Sequence, residues 1–203
     1  MLKQPARLTI TGPVGGLETV FVPAVGGITG VAVLCHPNPL QGGTNTNKVI
    51  QTAAKALSQM GYACYCPNLR GVGESEGVHD YGVGEVDDVL SVIAYAKAAH
   101  GEDLPLALAG FSFGGFVAAR TRERIVADKL LLMGCAVGKY AIATPAVPAD
   151  TLVIHGEQDE VIPLSAIMDW ARPQGLPVIV FPGAGHFFHG KLVTLAQIIQ
   201  RCW

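Results

Sequence analysis

Charge is scarce in this chain: 15% of its 203 residues are charged, while 50% are hydrophobic. The net charge of −2 leaves no electrostatic footprint for nucleic acid or an anionic membrane. No run approaches the ~20 apolar residues needed to span a bilayer. The amino-terminal stretch Met1-Leu2-Lys3-Gln4-Pro5-Ala6-Arg7 has no apolar core of signal-peptide length. The five cysteines, Cys35, Cys64, Cys66, Cys135 and Cys202, are odd in number, and four fall in predicted strands. That distribution does not fit a secreted disulfide framework, so buried thiols and a cytoplasmic location are expected. Cys64 and Cys66 share one strand face, but no second pair completes a four-ligand metal site. No Gly-Lys-Ser/Thr phosphate loop is present, and Gly71, Gly73 and Gly77 miss the dinucleotide-binding spacing by one residue. No metal or other cofactor is therefore expected. Nor is there an internal repeat or linker, so residues 1–203 are expected to form one domain.

What is present is a succession of short apolar runs. So much apolar sequence with so little charge suits strands buried on both faces. Arg7–Thr11 and Thr19–Pro23 read as an opening hairpin around the turn Gly12–Gly16. Strands are then predicted at Val31–Cys35, Tyr62–Cys66, Leu104–Ala109, Lys129–Cys135, Thr151–His155 and Pro177–Phe181. Helical spacing falls between them, at Val49–Met60, Val86–Ala99, Gly115–Arg124 and Leu164–Ala171, and again at Leu192–Ile199. This alternation implies a mostly parallel sheet with helices on both faces. Arg120, Arg122 and Arg124 read as a solvated helix face, and Asp87 and Asp88 as acids complementing a helix start.

Chemistry points to Gly110-Phe111-Ser112-Phe113-Gly114, between a predicted strand and a predicted helix. A serine on such a turn is exposed and can be activated, and the flanking glycines permit close backbone approach. The pattern alone is weak. In parallel sheets, however, ligands gather beyond the carboxyl ends of the strands. There the chain also carries His36-Pro37-Asn38-Pro39, Gly156-Glu157-Gln158-Asp159-Glu160 and Pro182-Gly183-Ala184-Gly185-His186. A serine, an acid and a histidine thus fall in separate loops at one end of the sheet, in that chain order.

These features resemble the α/β-hydrolases over nearly the whole chain. That fold implies a twisted sheet of about eight strands, an antiparallel amino-terminal hairpin, and Ser112, Asp159 and His186 as the catalytic set. Arg70-Gly71-Val72-Gly73-Glu74-Ser75 is also typical of the family. His36-Pro37-Asn38-Pro39, Gly42-Gly43-Thr44 and His186-Phe187-Phe188-His189-Gly190-Lys191 resemble, more narrowly, a group of small bacterial hydrolases without a lid, whose substrates are poorly assigned. On this resemblance His186 is the general base for Ser112, and Asp159 fixes its tautomer. The amide of Phe113 is one oxyanion donor. The second comes from the loop after Cys35, where Pro37 and Pro39 have no N–H. Asn38 is favoured, with Leu40 or Gln41 as alternatives if the loop curls further. Leu40, Phe111 and His189 are expected beside the substrate.

Rivals exist at two positions. Glu157 and Glu160 flank Asp159, but the spacing and the following Val161-Ile162-Pro163 favour Asp159. His189 competes with His186, yet it falls where the last helix begins and suits a cap or a pocket wall. His36 is expected to brace its loop, and His155 to be a hydrogen-bonded structural residue. Only Ala136–Asp150 separate Cys135 from Thr151, too few for a lid, so an open site is expected. The reading is a serine hydrolase that cleaves small or medium carboxylic esters through an acyl-enzyme. A thioesterase or acyltransferase shares that chemistry, and a binding protein on the same fold is the non-enzymatic alternative. The elbow carries neither the cysteine of a dienelactone hydrolase nor the aspartate of a dehalogenase. The expected partner is a small ester or thioester, and monomer and homodimer both remain open.

Overall fold

A computed structural model describes residues 4–203. Met1-Leu2-Lys3, part of the stretch read for a signal segment, lie outside the described residues. Strands β1 (Ala6–Gly12) and β2 (Gly15–Val22) form the antiparallel hairpin, with Ile10 opposite Leu17. Then come β3 (Gly30–Cys35), α1 (Lys48–Gln59), β4 (Tyr62–Pro67) and α2 (Gly84–His100). They are followed by β5 (Leu106–Phe111), α3 (Phe113–Arg122) and β6 (Lys129–Met133). The chain continues through β7 (Leu152–Gly156), α4 (Leu164–Ala171), β8 (Val178–Phe181) and α5 (Leu192–Cys202). The eight strands form one sheet in the order β1-β2-β4-β3-β5-β6-β7-β8. Strand β2 runs antiparallel to both neighbours, and β3 to β8 pair in parallel.

Alternation along the strands divides the core in two. Val31, Val33 and Cys35 of β3 pack with α2 and α3, whereas Ala32 and Leu34 pack with α1 and α5. Both faces are covered, which is why β3 and β5 are apolar throughout. Each fully buried Val or Leu contributes about 1.5–3 kcal/mol. Helix α1 starts where Asn47 Oδ1 accepts the Val49 and Ile50 amides, at 2.9 and 3.4 Å. The segment 136–150 holds no helix or strand, so no lid stands over the carboxyl ends of the strands. No helix among the described residues is long and apolar enough to cross a membrane.

Two surface readings change. Asp88 is fully buried and holds Arg70, accepting from its backbone N (2.9 Å), Nε and Nη2 (2.8 Å). It anchors the loop after β4 rather than serving the α2 dipole. Arg120 donates Nη1 to the Gly82 carbonyl at 2.7 Å, and Arg124 pairs with Asp87. Arg120 therefore ties α3 to the loop leading into α2, while Arg124, just beyond α3, stays solvent-exposed in its pair with Asp87. Cys35, Cys64, Cys66 and Cys135 are free and buried, and Cys202 is exposed. Burial pushes the Cys66 and Cys135 thiols up to about 12.

Candidate active site

Strand β5 runs to Phe111, two residues beyond its predicted end, and delivers Ser112 directly into the turn before α3. Ser112 has φ 55° and ψ −117°, a conformation a residue with a Cβ rarely adopts. Backbone bonds hold it there. Its N–H donates to the Met133 carbonyl at 3.0 Å, and its carbonyl accepts from the Gly115 and Ala136 amides at 3.0 and 3.1 Å. A Cβ on Gly114 would lie 2.0 Å from the Cys35 carbonyl oxygen and 2.6 Å from that of His36. One on Gly110 would lie 2.1 Å from the Gly114 carbonyl oxygen. The absence of these two side chains lets the first turn of α3 press against the end of β3.

The loop after β7 presents the acid. Asp159 Oδ1 accepts the amides of Val161 (2.9 Å) and Ile162 (2.7 Å). Its Oδ2 lies 2.7 Å from His186 Nδ1. A carboxylate can only accept, so Nδ1 carries the proton and Nε2 is left as a base. Burial pushes the Asp159 carboxyl up, but the His186 hydrogen bond and the two amides outweigh it, and the net direction is down. The His186 ring packs on Phe111 with centroids 4.8 Å apart. A Cβ on Gly134, next to the Met133 that anchors Ser112, would lie 3.4 Å from His186 Nδ1. The imidazole therefore rests on residues that flank the serine. No hydrogen bond joins Ser112 Oγ to the His186 ring among the described residues, and such bonds commonly close only around a substrate.

The rival acids have other work. Glu160 Oε2 accepts the His186 amide at 3.2 Å, and Glu157 Oε2 accepts the Gly183 amide at 2.7 Å. Both fix the loop that carries His186. His155 is fully buried, with Nε2 2.9 Å from the Ile162 carbonyl and 3.6 Å from Asp159 Oδ2. Burial lowers its pKa, so as a neutral ring it donates Nε2–H to the carbonyl.

After β3, His36 is fully buried. Its Nδ1 lies 2.7 Å from the Pro37 carbonyl, and its Nε2 accepts the Leu69 amide at 3.0 Å. Burial drives its pKa down to about 4. It is a neutral strut between two loops, as expected of a brace. In the next turn Leu40 N–H donates to Asn38 Oδ1 at 2.9 Å, while the amides of Gln41 and Gly43 donate to the Asn38 carbonyl. The Gly42 amide donates to Pro39. Pro37 and Pro39 have no N–H, so this turn leaves the Asn38 amide free of internal partners. The Phe113 amide, at the start of α3, is likewise unused among the described residues.

Ser112 opens on a cleft of about 210 Å³ lined by Asn38, Gln41, Ala136, Lys139, Tyr140 and Ile162, with Val161 at its side. Three residues expected beside the substrate do not line this cleft. Leu40 is 65% exposed on its turn, and Phe111 is buried under His186. His189 lies in the turn before α5, exposed, and stacks on Phe187 rather than capping the helix. Lys139 and Tyr140 carry no motif, yet they follow β6 and obey the rule that ligands gather beyond strand ends. Tyr140 is held by stacking on Phe116, with ring centroids 4.8 Å apart. Among the described residues no cluster of three or more His, Cys, Asp or Glu could hold a metal ion.

The fold and this cluster define a class of protein, the α/β serine hydrolases. The family model of serine aminopeptidase S33 matches residues 30–147, more than half of the chain. The chain belongs to that family. A Xanthomonas campestris protein described as an α/β serine hydrolase without a lid superposes with TM-score 0.93 at 34% identity, over 100% of this chain and 94% of that one. An α/β serine hydrolase homologue from Coxiella burnetii gives 0.90 at 36% identity, over 99% and 98%. An uncharacterized protein of Rickettsia prowazekii is 27% identical, over 96% of this chain and 87% of that one.

Proposed function

We propose that this hydrolase cleaves small carboxylic esters through an acyl-enzyme formed on Ser112. His186 Nε2 takes the Ser112 proton as Oγ attacks the ester carbonyl, then delivers it to the departing alcohol. Water enters by the same route in reverse, and the acid leaves. Asp159 keeps the imidazole in the required tautomer and stabilises the imidazolium. The amides of Phe113 and Asn38 receive the negative charge on the carbonyl oxygen. The observation that carries this reading is the 2.7 Å contact of Asp159 with His186, on a ring seated against Phe111 beside the strained Ser112. The two unused amides at the facing ends of α3 and the β3 loop support the oxyanion assignment.

The family's aminopeptidase name suggests a second reading. Binding a free α-ammonium calls for a carboxylate near the serine. The cleft residues include none, and their only charge is that of Lys139. That favours esters over amino-terminal peptides. The same triad would serve a thioesterase or acyltransferase.

A fluorophosphonate probe tests the proposal. Labelling of the wild type, absent in Ser112→Ala, with hydrolysis of nitrophenyl acetate or butyrate, is the expected result. An unlabelled wild type would return the chain to a binding role. Faster cleavage of alanyl or prolyl nitroanilides than of these esters would favour the aminopeptidase. With no lid to open, the rate should rise smoothly through the concentration at which an ester forms micelles.

A further inference from the structure

The residues lining the cleft around Ser112 include no acid. Glu85, the acid whose charge reaches Tyr140, is buried and committed to His79 and to the amides of Asp80 and Gly82. Asn38 spends its Oδ1 on the Leu40 amide, which leaves its NH₂ for the cleft. Gln41 and Lys139 are exposed. Lys139 makes no salt bridge among the described residues, where the ion pairs fall to Arg7, Arg70, Arg124, Arg172 and three histidines. Tyr140 is half-buried, and burial raises its phenol to about 12, so it stays a hydroxyl donor at neutral pH. The two acids nearest in sequence to the cleft are committed. Asp159 is bound by His186 and two amides, and Glu160 accepts the His186 amide. An ammonium with no partner among the described residues, lining a cleft of about 210 Å³, places positive potential beside Ser112 where one arm of a short substrate would lie.

We propose that this site selects short esters bearing a second, anionic group, and that Lys139 reads that group. This rests on the hydrolase reading above and adds the substrate class. The cleft holds a chain of a few carbons, so a half-ester of a short dicarboxylic acid fits its size and its charge. No new bond is required: the anion pairs with Lys139 while Ser112 attacks the ester carbonyl.

The test compares 4-nitrophenyl pentanoate with the mono-4-nitrophenyl ester of glutaric acid, which share a leaving group and a chain length. The wild type should favour the glutarate ester in kcat/KM by about fivefold at low salt, mainly through KM, and the preference should fade as salt rises. It should vanish in Lys139→Ala, invert in Lys139→Glu and persist in Lys139→Arg, the readout being the ratio of the two esters within each variant. Free glutarate and inorganic phosphate, added as competitors of pentanoate hydrolysis, distinguish a carboxylate from a phosphate as the preferred anion. Equal ratios in wild type and Lys139→Glu, with pentanoate still cleaved, would overturn the anion reading and leave the hydrolase intact. If neither ester is cleaved, the hydrolase reading fails. Calorimetry then decides the anion site: glutarate binding to wild type but not to Lys139→Glu upholds it, and no binding to either ends it.

Discussion

Asp159 divides its two oxygens between jobs: Oδ2 meets His186 Nδ1 at 2.7 Å, and Oδ1 receives the amides of Val161 and Ile162. One carboxylate thus orients the imidazole and holds its own loop. Asp159→Asn keeps the size but puts an NH₂ where an acceptor is needed, or else presents the amide oxygen without charge. We expect kcat to fall by about 10³–10⁴-fold with the fold retained. Steady-state rates and circular dichroism check this.

The same carboxylate links stability to pH. Its folded pKa lies below the unfolded value, so its contribution is fully present above the unfolded value, near 4. It is lost as pH falls through the lowered folded value. Urea midpoints of the wild type should therefore drop more steeply than those of Asp159→Asn on acidification below about pH 4. Parallel curves for the two proteins would remove Asp159 from the acid response.

Ser112 stores strain at φ 55°. Ser112→Ala keeps the Cβ and the strain, whereas Ser112→Gly removes both. Both variants should be inactive, but the glycine variant should be the more stable by about 1 kcal/mol, after allowing for glycine's greater freedom when unfolded. Thermal melts of the pair measure the difference, and an alanine variant as stable as the glycine one would show that the turn carries no strain.

Much of this could be read from the chain because its signals are local. Apolar runs marked six strands, the Gly12–Gly16 turn marked the opening hairpin, and the Gly-x-Ser-x-Gly pattern placed Ser112 on its turn. Strand β5 was displaced by two residues because Gly110, normally punctuation, is paired inside the sheet opposite Leu132. What stayed hidden depends on tertiary partners. Asp88 looks like a helix-start acid until Arg70, 18 positions earlier, folds onto it. Phe111 looks like a pocket wall until the strand alternation turns it beneath His186. Lys139 and Tyr140 sit in a stretch with no motif, and only the packing of Tyr140 on Phe116 and Phe113 puts them beside the serine.

The Arg70–Asp88 pair is buried, and both Asp88 oxygens accept from Arg70. Asp88→Ala would leave the guanidinium without its partner and should cost about 3–5 kcal/mol in a urea melt. The double change Arg70→Met with Asp88→Leu should cost less than Asp88→Ala alone, since it removes both charges together. An additive double variant would mean the two side chains act independently.

The oxyanion assignment can be tested one amide at a time. Asn38 has φ −53°, already within the range proline requires. Asn38→Pro therefore deletes the N–H with little demand on the residue's own φ, but it also deletes the side chain that accepts from Leu40. Asn38→Ala separates the two effects, because it loses the side chain and keeps the amide. If the amide receives the developing charge, Asn38→Pro should lower kcat by about 10²–10³-fold with KM little changed. Asn38→Ala should stay within about tenfold of wild type, the modest cost of one lost turn hydrogen bond. Equal losses in the two variants would assign the effect to the turn, and the second donor would then have to be sought at Leu40 or Gln41, whose amides would first have to leave the Asn38 side chain and carbonyl.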